Sequence, residues 1–575
     1  MPLEADKVEH RPVVACTRIV WRDSTTRRGR SVAARLLPWY STTGGHAPHR
    51  SGAWKQLRVG FCPCRRGPSR VSGGVVDPIG RARLANLARA AIVALGVVAL
   101  GLGILALLCP EVVIGPRSRA SDNAKLYLQL VGARTVFFGS VAVLLGAAGT
   151  ALRAASARGL KWLEELPTEG WVVLLATAAL VPRVAWVMYM PAEPTSDCAT
   201  YEGLGLSLAQ GKGYQFPPEF PAPTAFRVPL YPVFLAAIYR IWGHETLAVK
   251  LAHVFLGMLT VWLSYRIARE QLPSSGSRSA ALLVALCPDY LLTTSLLLSE
   301  NLATPLFLFS LWCLLLARPQ SYSPRWTLLS GFALGLAILA HPLTILTPVA
   351  ALGWWCWSKA GWRQILRSAS AYALGLVLVV LPWVVRNQRV VGYPTLSTEG
   401  GGALYWQNRP GSLPAGFRYE WLKEEVRGAR GIALDEVDLH RSAFRLGFQS
   451  ILQHPASFAA RAVCKLRQLV HPSCSYAVVL NLRKLSRPLR FPLLHELALN
   501  EVCRYYYLAL FICGGLGLLE SRVRRPVDRL SFLVILGICG VCVLFLGDPR
   551  YRYPMIPLVA VFAASWLRAR LGVAD

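Results

Sequence analysis

From Leu87 onward the chain is a train of apolar stretches, each close to the ~20 residues needed to cross a bilayer. They fall near 88–109, 127–150, 171–190, 246–265, 279–298, 302–317, 327–340, 342–358, 369–385, 502–519, 530–547 and 552–570, with His341-Pro342 as a hairpin turn between two short ones. Few soluble folds tolerate that pattern. Over 575 residues the charged fraction is 16% and mean hydropathy is +0.40, whereas soluble domains carry about a quarter charged residues. A soluble enzyme, a single-anchor receptor and a largely disordered chain are excluded. The sequence predicts a mainly α, polytopic membrane helix bundle of about 12 spans.

The formal charge of +31 would suggest nucleic acid in a soluble protein, but here the basic residues sort by membrane side. If the amino-terminal end is cytoplasmic, the inside loops carry Arg153, Arg158 and Lys161; Arg266, Arg269 and Arg278; Arg318 and Arg325; Lys359, Arg363 and Arg367; Arg522, Arg524, Arg525 and Arg529; and Arg568 and Arg570. The opposite turns at Glu300 and His341 carry no Lys or Arg, which is the positive-inside pattern. The 110–126 loop, with Arg117, Arg119 and Lys125, departs from it. Parity also assigns 229–242: a full crossing there would invert every later loop, so this short apolar segment is read as re-entrant or interfacial. No nucleic-acid partner is expected. Membrane lipids are.

Four further regions follow. Residues 1–87 are rich in Arg, Gly, Ser and Pro without apolar periodicity, so a disordered basic tail is expected, binding anionic head groups or preceding the true translation start. Residues 88–150 form an accessory hairpin, and 151–385 with 502–575 the membrane core. The outer face carries a loop at 191–245 and a domain at 386–501. In that domain Arg386-Asn387 and Gly400-Gly401-Gly402 read as loop, and 436–458 as one amphipathic helix. The 14 cysteines are scattered, many in apolar stretches; a Cys464–Cys474 disulfide is open but not indicated.

Three acids fall at helix ends on the outer side: Asp197, Glu300 and Asp548. Each has an ordinary reading. Asp197 suits a helix N-cap, Ser299-Glu300 a cap and first-turn acid, and Asp548-Pro549 a turn. Their common side, with Arg227, Arg386, Arg550 and Arg552 nearby in the pattern, points instead to proton removal from one partner and uptake of a phosphate from another.

The ordered motifs resemble the GT-C superfamily of membrane glycosyltransferases, in the branch of protein O-mannosyltransferases and lipid A aminoarabinose transferases. They are Asp197-x-x-x-Tyr201 with Gly211-Lys212-Gly213-Tyr214, Ala225 to Pro232, Ser299-Glu300-Asn301, Leu381-Pro382-Trp383-x-x-Arg386-Asn387 with Gly400-Gly401, and Arg550-Tyr551-Arg552-x-Pro554-x-x-Pro557. The resemblance covers roughly residues 170–570; Val228 replaces the usual first proline and His341-Pro342 an Arg-Pro. It implies a GT-C bundle with a large outer-face loop domain, in the inner cell membrane with its active site facing the periplasm or outside. It implies inverting transfer of a sugar from a polyprenyl-phosphate donor to a hydroxyl of a lipid, glycan or protein. In that scheme Asp197 is the base and Glu300 the second catalytic acid. Arg227, then Arg552 or Arg550, would grip the phosphate, with Arg386 beside them and Tyr201, Tyr214 and Tyr231 stacking on sugar. Carboxylates offer oxygens to Mg²⁺ or Mn²⁺, yet no compact ligand motif is visible, and the arginines favour a metal-free site slightly. The competing readings are a transporter or lipid flippase using the acids as an ion or proton site, a non-catalytic scaffold, and a ligase moving a whole glycan.

Overall fold

Long apolar runs poor in helix breakers satisfy their own backbone hydrogen bonds, and the described apolar stretches are accordingly mostly helical. The computed structural model describes residues 90–102, 104, 122–190, 193–215, 222–318, 323–409, 435–474, 478 and 492–571. All lie within one compact unit, Ile79–Asp575. The expected tail at 1–87 lies outside the described residues, as does most of the 110–126 loop.

In chain order the helices are α1 (Ala90–Leu102), α2 (Asp122–Glu165), α3 (Thr168–Tyr189), α4 (Asp197–Ala209), α5 (Leu230–Trp242), α6 (Thr246–Arg269), α7 (Ser274–Ala285) and α8 (Pro288–Leu292). They continue as α9 (Glu300–Leu316), α10 (Pro324–Ala340), α11 (Thr347–Trp357), α12 (Trp362–Val390), α13 (Glu399–Asn408) and α14 (Glu436–Gln453). The last are α15 (Pro455–Leu469), α16 (Pro492–Ser521), α17 (Pro526–Leu544) and α18 (Ile556–Leu571). Among the described residues the only β pairing is an isolated bridge between Gln215 and Pro223. Among the described residues, six helical stretches are long and apolar enough to cross a membrane: α3, α6, α12, Leu499–Ser521 within α16, α17, and Pro549–Leu571, which joins a 3₁₀ turn to α18. Helices α1, α5, α9 and α10 are apolar but shorter.

The structure revises three local expectations. The 279–298 stretch is not one helix: α7 ends at Ala285, α8 starts at Pro288, and a 3₁₀ turn spans Thr293–Ser295. Pro288 lacks the N–H that would continue the ladder. Asn301 then donates to the carbonyls of Thr293 (3.0 Å) and Leu296 (3.1 Å), satisfying the irregular backbone just before Glu300. The 436–458 helix is split at His454, because Pro455 disfavours helical backbone in the residue before it and starts α15 itself. Arg386-Asn387 and the glycine triplet are helical rather than loop, within α12 and α13.

Close approach, not turning, explains the middle glycine of the triplet. A Cβ at Gly401 would meet the His440 carbonyl at 2.3 Å, and one at Gly447 would meet the Tyr405 amide at 3.0 Å. Only glycine lets α13 lie this near α14. Likewise Gly331 and Gly375 bring α10 against α12, where added Cβ atoms would meet backbone oxygens at 2.0 and 2.2 Å. At the basic end, Arg278 donates to the Leu166 carbonyl (2.8 Å) and to that of Leu163, closing the C-terminal turn of α2.

Candidate active site

The site forms where five helix-flanking segments converge, with His341 supplied by a sixth. The chain enters α4 through Ser196, whose φ of 55° is left-handed, a strained conformation for a non-glycine residue. It presents Asp197 as the first helical residue. Asp197 Oδ1 accepts from Arg227 Nη2 at 2.6 Å, and its Oδ2 accepts from Arg550 Nη2 at 2.7 Å. Arg227 turns its other nitrogen, Nη1, to both oxygens of Glu399 at 2.7 and 2.6 Å. Arg550 Nε lies 3.4 Å from Glu300 Oε1, and His341 Nε2 lies 3.8 Å from the same oxygen.

The result is a chain of alternating charge: Glu399, Arg227, Asp197, Arg550, Glu300. Three carboxylates against two guanidiniums leave one net negative charge when His341 is neutral. His341 Nδ1 accepts from the Leu343 amide at 3.3 Å, which leaves the proton on Nε2, facing Glu300. Burial pushes the His341 ring below its ordinary value and outweighs the attraction of Glu300.

Asp197 is the most perturbed acid. Burial by itself would raise its carboxyl, but Arg227 and Arg550 overrule this and hold it well below the usual carboxylate range. Its side chain keeps 28% exposure, so the site opens at this residue while Arg227 (8%) and Glu300 (4%) lie deeper. Glu399 moves the other way: burial and the nearby Asp197 charge raise it despite Arg227. A single proton entering this pair therefore goes to Glu399.

The outer segments act as a clamp on the loop that carries Arg227. Glu436, the first residue of α14, accepts from Thr224 Oγ1 (2.7 Å), the Ala225 amide (3.0 Å) and Thr398 Oγ1 (2.6 Å). The Thr398 amide donates to the Ala225 carbonyl at 3.0 Å, and Ser397 Oγ to the Phe226 carbonyl at 2.5 Å. The guanidinium of Arg227 lies over the Tyr201 ring, 5.1 Å from its centroid. Tyr201 in turn accepts from Ser299 Oγ at 3.1 Å, tying the Arg227 pocket to the start of α9.

The expected site residues thus separate. Asp197, Arg227, Arg550 and Glu300 meet directly, with Tyr201 behind them. Four others are engaged in the scaffold instead. Arg552 is fully buried and pairs with Asp289 (2.6 Å), donating also to the carbonyls of His471 (2.5 Å) and Ser473 (2.7 Å). Arg386 holds the loop backbone through the carbonyls of Thr224 (2.7 Å) and Tyr214 (3.2 Å). Tyr231 is fully buried with its hydroxyl 3.1 Å from His253 Nε2, and Tyr214 donates to the carbonyls of Arg227 and Val228. Asp548 caps its own turn by accepting from the Arg550 amide at 2.9 Å, and so aims Arg550.

Glu399 and His341 complete the cluster, and the sequence signals for them were weak. Glu399 is an acid before a glycine triplet, and His341 stood out only as a departure from an Arg-Pro pattern. Below Glu300 lies a small cavity lined also by Thr260, Tyr290, Thr294, Thr304 and Tyr553. The hydroxyls of Thr304 and Tyr553 make no hydrogen bond there. A divalent cation does not fit between Asp197 and Glu300 as they stand, because Arg550 occupies the space between them, bonded to one and ion-paired with the other.

Residues 223–385, which include Arg227 and Glu300, match the profile of the family described as dolichyl-phosphate-mannose-protein mannosyltransferase. No curated protein sequence matches the chain significantly. Among solved structures it is similar to the archaeal oligosaccharyltransferase AglB from Archaeoglobus fulgidus, in complex with an inhibitory peptide and a dolichol-phosphate. That similarity has 15% identity and a TM-score of 0.39, and covers 69% of this chain and 50% of that one. It is also similar to ArnT from Cupriavidus metallidurans bound to undecaprenyl phosphate, with 15% identity, a TM-score of 0.34, and coverage of 70% and 78%. The chain thus spans about half the length of the archaeal protein. The family match thus falls on the segment that carries Arg227 and Glu300, which in this helical membrane chain are joined through Asp197 and Arg550.

Proposed function

We propose that the protein is a membrane glycosyltransferase that moves a sugar from a polyprenyl-phosphate donor to a hydroxyl acceptor, with inversion at the anomeric carbon. The observation that carries this reading is Asp197 held between two guanidiniums, Arg227 at 2.6 Å and Arg550 at 2.7 Å. The acceptor oxygen attacks the anomeric carbon from the face opposite the phosphate; the bond from that carbon to the phosphate oxygen breaks, and the acceptor proton passes to Asp197. A glycosyl phosphodiester carries one negative charge and the departing monoester carries close to two, so fixed cations stabilise the transition state more than the ground state. Arg227 and Arg550 fill that role.

The same geometry links donor binding to base strength. With both guanidiniums on its oxygens, Asp197 is a weak base. A donor phosphate competes for Arg227 and Arg550, and Asp197 becomes more basic as they turn to it. Glu300 and neutral His341 hold Arg550 and orient the acceptor. No metal step is derived, since the arginines meet the leaving-group charge.

Placement on the outer face is supported by polarity along the helices. Helix α9 runs from Glu300 at the site to Arg318 just beyond its other end, and Pro549–Leu571 runs from Arg550 to Arg568 and Arg570. Basic helix ends favour the cytoplasm, which supports an outward-facing site in an inner cell membrane. A transporter or flippase draws less support, because the acids lie at helix starts already paired with arginine. The test is transfer by the purified protein in lipid nanodiscs, using polyprenyl-phosphate sugars and envelope extracts as acceptor. Donor consumption giving free polyprenyl phosphate and a glycosylated product is expected. Movement of intact donor across the bilayer without cleavage would refute the assignment.

A further inference from the structure

The described residues contain a buried thiol pair that the glycosyl-transfer site does not use. Cys474 (5% exposed) ends the segment after α15, and Cys503 (0% exposed) lies in α16; their sulfurs are within 4.8 Å of one another. An independent contact fixes the two backbones. The Cys474 amide donates to Asn500 Oδ1 at 3.3 Å, and Asn500 stands three residues before Cys503, on the same side of α16. Cys464, the partner the sequence left open for Cys474, is exposed, whereas Cys474 is buried beside Cys503.

We propose that Cys474 and Cys503 are joined by a disulfide that ties the outer domain to α16. A disulfide needs the sulfurs at about 2.05 Å, so the two side chains must turn towards one another to bond. Two thiols give up two protons and two electrons to a disulfide-bearing oxidant, a thiol–disulfide oxidoreductase, whose own disulfide becomes two thiols. Because both sulfurs are buried in the folded chain, the exchange occurs during folding or when the segment around Cys474 opens locally. The proposal rests on the outer-face reading of residues 386–501, since only an oxidising compartment maintains such a bond.

A metal at the same place is disfavoured. The third candidate ligand, Asp289, already accepts from Arg552 (2.6 Å) and Tyr507 (2.8 Å) on Oδ2, so a cation would face a guanidinium. The bond would instead steady the site. Ser473, adjacent to Cys474, offers its carbonyl to Arg552, two residues from Arg550 on Asp197. Fixing Cys474 to α16 therefore fixes the turn that aims Arg550.

The experiment blocks free thiols with N-ethylmaleimide at lysis, purifies the full chain, denatures it, and labels with a second maleimide before and after reduction. Peptide mass spectrometry then reads positions 474 and 503. Both are expected to stay unlabelled until reduction, with a linked peptide lighter by two hydrogens. Cys474→Ser and Cys503→Ser should each leave the other thiol labelled without reduction. Labelling of both in unreduced wild-type protein overturns the proposal, as does stoichiometric zinc with no linked peptide. A parallel sample, reduced and then given oxidised glutathione, separates the causes of failure. Closure there but not in the isolated protein removes the outer-face reading as well. No closure in either sample removes the disulfide alone.

Discussion

Asp197→Asn removes one charge and almost no volume, which makes it the sharpest perturbation of the site. Arg227 keeps its two contacts with Glu399, and Arg550 keeps Glu300, so neither guanidinium is left without a carboxylate. The cluster goes from one net negative charge to none, and the fold has no new unpaired cation to accommodate. The base, however, is gone. A positioned general base contributes roughly 10²–10⁴-fold, so kcat should fall by that factor, or roughly 3–5 kcal/mol in the barrier. Donor KM should stay level or fall, because the carboxylate that competed with the phosphate for Arg227 and Arg550 has been neutralised. Steady-state transfer in nanodiscs, with donor varied at saturating acceptor, measures both. A variant with kcat within tenfold of wild type refutes the base assignment. One with normal kcat and sharply raised KM would make Asp197 a positioning residue for the arginines.

Three further outcomes are expected. The acid limb of kcat should lie at higher pH than that of kcat/KM: the free enzyme keeps Asp197 ionised to below the usual carboxylate range, while the donor draws away the guanidiniums that hold it there. Coincident limbs in the two pH profiles would remove the coupling. Arg552→Met should destabilise the protein by about 3–5 kcal/mol by leaving the buried Asp289 charge without its cation, and adding Asp289→Leu should recover much of the loss. Thermal unfolding in detergent checks this, and equal stability of single and double variants would contradict it. Treatment with EDTA should leave transfer unchanged, and restoration of a lost activity by Mn²⁺ or Mg²⁺ would show that arginine does not replace a metal.

The membrane-helix character was legible because it depends on side-chain solvation, a property each apolar stretch carries by itself. For the same reason the basic residues revealed which helix ends belong together. Asp197, Glu300, Arg227 and Arg550 were also visible, since charge placed at the edge of apolar sequence is costly without a use. What sequence could not separate was Arg550 from Arg552. They are two residues apart in Arg-Tyr-Arg, yet Arg550 reaches Asp197 and Arg552 is locked onto Asp289.

That choice depends on the direction of each side chain from the 3₁₀ turn, which packing decides. Glu399 lay hidden for a related reason: the glycines after it signal a turn when read locally, but Gly401 serves a close helix contact with α14 that exists only after folding. The sequence alone determined the solvent each segment prefers and so the class of fold, because hydropathy and loop charge act over short stretches. Only the tertiary structure decided which carboxylate meets which guanidinium, because ion pairing requires atoms from residues 197, 227, 300, 399 and 550 to come within a few ångströms.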